Sequence, residues 1–106
     1  MTIETLYRKP NTWTREEMAK DRSGEGCDAT DSEAVCFCLL GAIDKCYPLS
    51  RDRVRVTTAL YREIRRARGL TLRPPQSWKR TEIASWNDSP TRTIREVRKV
   101  VRQAGV

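Results

Sequence analysis

The chain has 106 residues, which is room for one ordinary domain and too little for a large multi-site enzyme. Leu, Ile, Val and Phe make up only twenty of them, near the level where disorder competes with folding, but three Trp and three Tyr argue for a packed core. The net charge is +7, Arg supplies 16 of the 21 basic side chains, and there is no His. That last absence excludes Ser-His-Asp and Cys-His catalysis and removes the commonest neutral metal ligand.

Ile3, Leu6 and Tyr7 have helical spacing and predict a short first helix, closed at Lys9-Pro10-Asn11 because the residue before a proline is driven out of the α region. Trp13 follows as an apolar anchor. Thr14-Arg15-Glu16-Glu17 reads as a capping box opening a short helix through Lys20, and Arg22 to Gly26 reads as a loop. Thr30-Asp31-Ser32-Glu33 is a second capping box, followed directly by the uncharged run Ala34 to Ile43. A helix from Asp31 to about Cys46, stopped by Pro48, is therefore the strongest expectation. Its apolar run falls well short of the ~20 residues a membrane-spanning helix needs. Being apolar on every side, it predicts a central helix surrounded by the others, with Gly41 and Ala42 leaving room for a neighbouring backbone or ring.

From Asp52 to Arg68, the positions Val56, Leu60, Ile64 and Ala67 form the stripe of an amphipathic helix closed by Gly69. Arg62, Arg65, Arg66 and Arg68 lie on its other side. Arg51 to Thr57 also alternates briefly, as a strand would. Leu70 to Gln76, with Pro74-Pro75, reads as an extended loop, and Thr81 to Trp86 as a helix of two turns at most. In the last helix Val97, Val100, Val101 and Ala104 share a sector of about 100°, with Arg95, Arg98, Lys99 and Arg102 opposite. Either Asp88 or Ser89 with Pro90, or the box Thr93-Ile94-Arg95-Glu96, marks its start, and Gly105 its end. The expected fold is all-α: one domain over residues 1–106, a compact bundle of four to five short helices around the helix at 31–46. Leu39, Leu40, Ile43, Leu60, Ile64, Trp86, Val97 and Val101 are its expected core.

Charge is divided unevenly along the chain. Residues 1–50 carry six basic and nine acidic side chains, residues 51–106 fifteen and five. The second half has the footprint of a protein that meets polyanions, although its Arg rows are also what solvated outer faces look like, some of them paired with Asp21, Glu25, Asp28 and Asp31. No helix-turn-helix signature, zinc knuckle, aromatic-studded RNA-recognition strand or glycine-rich phosphate loop is present. Cys27, Cys36, Cys38 and Cys46 have gaps of eight, one and seven residues, unlike the paired knuckles of a four-cysteine zinc site. They read as small buried hydrophobes in a reducing cytoplasm, with zinc the weaker alternative. Met1-Thr2-Ile3-Glu4 has neither a basic nor an apolar leader region, which also predicts a cytoplasmic protein.

Trp13-Thr14, Ala34-Val35-Cys36-Phe37-Cys38-Leu39-Leu40-Gly41-Ala42 and Trp86-Asn87-Asp88-Ser89-Pro90-Thr91-Arg92-Thr93 together resemble an uncharacterised family of small bacterial and phage proteins. Its members pair a W-C-x-x-G-A type helix with a W-N-D-x-P-x-R-T type segment. The likeness runs from about residue 6 to residue 104, and Phe37 stands where the family's helix usually has Trp. It implies a shared fold and no particular activity. In that segment Trp86 can plug the core, Asn87 and Asp88 can cap the next helix, and Pro90 suits its first turn. Two roles stay open for Arg92: a brace to Asp88 or Asp44, or an anion ligand at the helix N-terminus.

Three functions follow from these readings. The first is a non-enzymatic basic binding protein that engages nucleic acid or an acidic protein surface through Arg62, Arg65, Arg66, Arg92, Arg95, Arg98 and Arg102. The second is a protein-binding inhibitor or adaptor of phage or bacterial type, using exposed aromatics such as Tyr47, Tyr61 or Trp78 with an Arg rim. The third is an enzyme, for which the only candidates are Cys27 or an Asp/Glu pair such as Asp28 with Asp31. No catalytic residue, cofactor or metal is expected, and the oligomeric state is open.

Overall fold

The computed structural model describes residues 1–70 and 79–106. In chain order its elements are α1 (Ile3–Arg8), β1 (Ala19–Lys20), β2 (Gly26–Cys27), β3 (Cys36–Phe37), α2 (Leu39–Cys46), α3 (Ser50–Ala67), α4 (Lys79–Asn87) and α5 (Ile94–Ala104). The three strands form one antiparallel sheet of order β2-β1-β3, with Ala19 opposite both Cys27 and Phe37. The fold is therefore α+β and corrects the all-α expectation. The loop expected through Pro74-Pro75, and Trp78, lie outside the described residues.

The correction is confined to residues 14–38. The expected helix from Asp31 begins only at Leu39, because Cys36–Phe37 pairs with Ala19–Lys20 and the Val35 amide donates to the Lys20 carbonyl. Cys38, with φ −74° and ψ 174°, is the N-cap of α2, its Sγ accepting from the Gly41 amide. Asp31 Oδ1 accepts the Glu33 amide at 2.8 Å, which closes a turn where a helix was expected. The Thr14–Lys20 helix is replaced by bends and β1. Glu16 has φ +69° there, and its amide is held by Asp88 Oδ1 at 2.9 Å. On the far side of β3, Phe37 exchanges backbone bonds with Thr12 and Thr14.

Although half its expected length, α2 keeps the central place, packing against α1, α3, α4 and β3. Leu39, Ala42 and Ile43 are fully buried, while Leu40 is only half-buried. Gly41 is required: a Cβ built on it would lie 1.8 Å from the Met18 carbonyl oxygen. Around α2 the core gathers Ile3 and Tyr7 of α1, Val56, Leu60 and Ile64 of α3, Ile83 and Trp86 of α4, and Val97 and Val101 of α5. The stretch Arg51 to Thr57, which alternates like a strand, lies within α3.

The ends of α3 and α5 form as their sequences dictate. Gly69 (φ +70°) and Gly105 (φ +74°) take the left-handed conformation that suits glycine. At the end of α3 the Gly69 amide donates to the Arg66 carbonyl and the Leu70 amide to the Arg65 carbonyl. At the start of α5, Thr93 and Glu96 complete a reciprocal capping box. Asp88, Ser89 and Pro90 precede that cap and do not start the helix.

Candidate anion-binding surface

The Trp86–Thr93 segment is occupied by structural work. Asn87, 0 % exposed, accepts at Oδ1 from Trp13 Nε1 (2.7 Å) and the Leu39 amide (3.2 Å). Its Nδ2 donates to the Thr14 carbonyl (3.1 Å) and to Asp88 Oδ1 (3.0 Å). One side chain thus fastens the Trp13 segment and the start of α2 to the end of α4. Asn87 and Asp88 cap α2 and the Glu16 turn instead of the helix that follows them. Arg92 lies 4.0 Å above the Trp86 ring, donates from Nε to the Trp86 carbonyl (2.9 Å) and pairs through Nη1 with Glu96 (3.0 Å). It is a brace, but its carboxylate is Glu96, not Asp88 or Asp44. Arg15 stacks 4.8 Å over Trp13 and donates to the Arg92 carbonyl, joining the two aromatic–guanidinium pairs.

The other expected site residues divide by face. On α3, Arg65 turns inward, lying 5.6 Å over the Tyr61 ring and 3.4 Å from Glu82 of α4, so it is part of the α3–α4 joint. Arg62 and Arg66 are exposed, Arg66 being paired with Glu63 at 3.1 Å. On α5, Arg95 and Arg102 are exposed, and half-buried Arg98 donates from Nε to the Tyr7 carbonyl at 2.8 Å. Arg95, Arg98, Lys99 and Arg102 line a shallow depression of about 450 Å³ along the outer face of α5. A second cleft of about 440 Å³ opens where the end of α3 meets α5, lined by Arg66, Arg68, Trp86, Arg92, Lys99 and Gln103 among others. Lys99 and Gln103 belong to both. Arg68 and Lys99 were not expected site residues. Both stand on polar faces that the helical period defines, but only the packing of α3 on α5 brings them together.

The acidic side chains do not neutralise this surface. Glu63, Glu82 and Glu96 serve Arg66, Arg65 and Arg92, and Asp88 accepts backbone and amide bonds. The ion pair Arg80–Asp44 (3.4 Å) joins the two halves of the chain. Among the described residues, Asp21, Glu25, Asp28 and Asp31 form no ion pair, and Arg62, Arg68, Arg95, Lys99 and Arg102 have no carboxylate within 4 Å. The Asp21 carboxyl, held below its usual range by the Ser23 hydroxyl and the Glu25 amide, organises the β1–β2 turn.

All four cysteines are free thiols. Cys27 lies opposite Ala19 and Cys36 opposite Lys20, so the whole of β1 separates them, roughly two strand spacings and beyond disulfide reach. Burial pushes the Cys27, Cys38 and Cys46 thiols up, and Asp31 beside Cys27 adds to its shift. The described residues contain no group of three or more metal-ligating side chains and no helix long and apolar enough to cross a membrane. The aromatics expected at a partner surface are largely withdrawn: Tyr61 is 1 % exposed and Tyr47 half-buried.

No curated protein and no solved structure matches the chain. A family model described as a family of unknown function, DUF6197, matches residues 4–105, nearly the whole length. The chain belongs to that family, DUF6197.

Proposed function

We propose that the protein is a non-enzymatic binding domain for an anionic polymer, nucleic acid in preference to an acidic protein surface, working in the cytoplasm through the outer face of α5. The observation that carries this reading is the row Arg95, Arg98, Lys99 and Arg102, in which no member has a carboxylate partner among the described residues. The pairs 95–98, 95–99, 98–102 and 99–102 are at i,i+3 or i,i+4 spacing. Each like-charge pair destabilises a helix by about 0.2–0.5 kcal/mol. The row thus weakens the helix that bears it, and a bound polyanion would relieve the repulsion. A repeated cation at helical spacing suits a partner with repeated charges, such as a phosphate backbone.

A catalytic reading has less support: the Cys27 thiol is shifted away from the thiolate a nucleophile needs. So has the phage- or bacterial-type inhibitor or adaptor, since Tyr61 is buried. The test is fluorescence anisotropy with labelled DNA and RNA. With about four phosphates neutralised, affinity for duplex should fall about 100-fold between 50 and 200 mM salt. Reversing Arg95, Lys99 and Arg102 to Glu, with Arg98 kept because it holds α1, should abolish binding. Unchanged binding by the triple variant would overturn the proposal.

A further inference from the structure

We infer that the cleft between the end of α3 and α5 receives one nucleotide of a single strand whose backbone runs along the outer face of α5; this rests on the reading above and makes single-stranded nucleic acid the substrate class. The cleft measures about 440 Å³, within the range of about 300–1,000 Å³ typical of pockets that enclose small organic ligands. Its lining has the two characters a nucleotide needs. Exposed Ala67, with the small uncovered edges of Trp86 and Val100, supplies apolar surface, and of the four cations Arg66 and Arg92 are paired with Glu63 and Glu96 while Arg68 and Lys99 are not paired among the described residues.

Three features aim those cations at an incoming anion. Arg68 and Lys99 have no carboxylate partner among the described residues. Near the end of α3 the Arg65 and Arg66 carbonyls, two acceptors that would repel an anion, already accept the Leu70 and Gly69 amides. Arg92 lies over the Trp86 ring and is tied to the Trp86 carbonyl and to Glu96, so its guanidinium is held in place, and guanidinium planes are surfaces on which unpaired bases stack. Gln103, with a donor and an acceptor on one amide, lies at the junction of cleft and outer depression and suits a base edge. The shared Lys99 is what makes a polymer, and not a free anion, the fitting occupant: one strand can keep its phosphates on Arg95 and Arg102 while a single base turns into the cleft. A duplex, whose bases are paired, can use only the outer face.

The experiment compares labelled single strands and duplexes of equal length by anisotropy, for the wild type and for Ala67→Trp. Ala67 is exposed at the last position of α3 and lines the cleft, so a large side chain there fills the space without changing charge or core. The wild type should bind single strands about tenfold more tightly than duplex, the scale of one stacked base. Ala67→Trp should lose that preference while its duplex affinity and salt dependence stay within twofold of the wild type. Arg68→Glu should reduce single-strand affinity more than duplex affinity, which checks the cleft without added bulk. Adenosine monophosphate should displace a bound single strand at concentrations where inorganic phosphate does not. Equal wild-type affinity for single strands and duplex, or an Ala67→Trp variant that keeps the preference, overturns the cleft assignment and leaves the outer-face reading standing. Failure of the wild type to bind any nucleic acid at low salt overturns both.

Discussion

Replacing Asn87 tests whether one buried amide holds the α4–α5 turn, the Trp13 segment and α2 in register. Leu in its place keeps the side chain's branching but none of its bonds. The Trp13 indole N–H and the Leu39 amide lose their acceptor, and the Thr14 carbonyl loses its donor. A buried polar group left unpaired costs about 1–3 kcal/mol. Leu39 is fully buried, but Trp13 and Thr14 are only half-buried, so water can recover part of the loss at those two. The expected destabilisation is about 3–5 kcal/mol, a large share of the roughly 5–15 kcal/mol that holds a domain of this size together. Urea unfolding followed by tryptophan fluorescence at pH 7 would measure it. Asn87→Asp sharpens the test, since it keeps the two acceptor bonds but sets a second carboxyl beside Asp88, which lies 3.0 Å from Nδ2. Burial and Asp88 would raise the new group's pKa above its unfolded value, so the native bonds would be retained below that unfolded value and stability lost as pH rises through the folded one. An Asn87→Leu variant within 0.5 kcal/mol of the wild type, or an Asn87→Asp variant no more stable at pH 4 than at pH 7 relative to the wild type, would refute the reasoning.

Gly41→Ala should destabilise by about 2–3 kcal/mol in a urea titration, because the new methyl meets the Met18 backbone. At an unconstrained helix position the same change stabilises by about 0.5–1 kcal/mol, so the sign of the shift decides the matter. The Glu96 carboxyl is held below its ordinary range by the Thr93 amide and then by Arg92. Its contribution is therefore present above the unfolded pKa and lost as pH falls through the folded one. Thermal melts between pH 6 and 3 should show that loss in the wild type and a flatter curve in Glu96→Gln. Thr93→Ala, which removes the other half of the box, should lower stability by about 1 kcal/mol in the same melts. The Cys38 thiol is buried and its pKa raised, so a thiol reagent with mass-spectrometric readout should label Cys38 last, at the rate of unfolding; labelling of Cys38 ahead of Cys36 would contradict the packing around α2.

How far the sequence reveals the fold depends on whether a segment's structure is set locally. The boundaries of α5 are legible because Thr93, Glu96 and Gly105 act within one turn of their own helix ends. The close of α3 at Gly69 is legible for the same reason, as are the core stripes Val56-Leu60-Ile64 and Val97-Val101. Residues 14–38 are not. Two-residue strands carry no alternation to detect, and the groups that cap helices also close turns, as Asp31 does for Glu33. Glu16, inside an apparent capping box, takes φ +69° with its amide held by Asp88, seventy-two residues away. The ambiguity of a short apolar run is resolved here by pairing: Val35 to Phe37 meet Lys20 and Ala19, and only the remainder from Leu39 is left to wind.

The candidate site separates into the same two kinds of information. Helical period alone sets Arg95, Arg98, Lys99 and Arg102 on one face. It cannot tell that Arg65 would be taken up by Glu82 and the Tyr61 ring while Arg68 would reach the α5 side. Nor does period show that the most distinctive segment, Trp86 to Thr93, spends its polar groups on holding the chain together. Asn87, Asp88, Arg92 and Thr93 each have intramolecular partners. The segment meets the proposed ligand surface only where Trp86 and Arg92 form a wall of the cleft. Substitutions along it should therefore sort by position: Asn87 changes should lower stability before binding, whereas Ala67 and Arg68 changes across the cleft should alter binding with stability intact. A protein in which both sets of changes altered stability alone would have the cleft cations as a solvated surface, and only the row on the outer face of α5 would then remain as a binding surface.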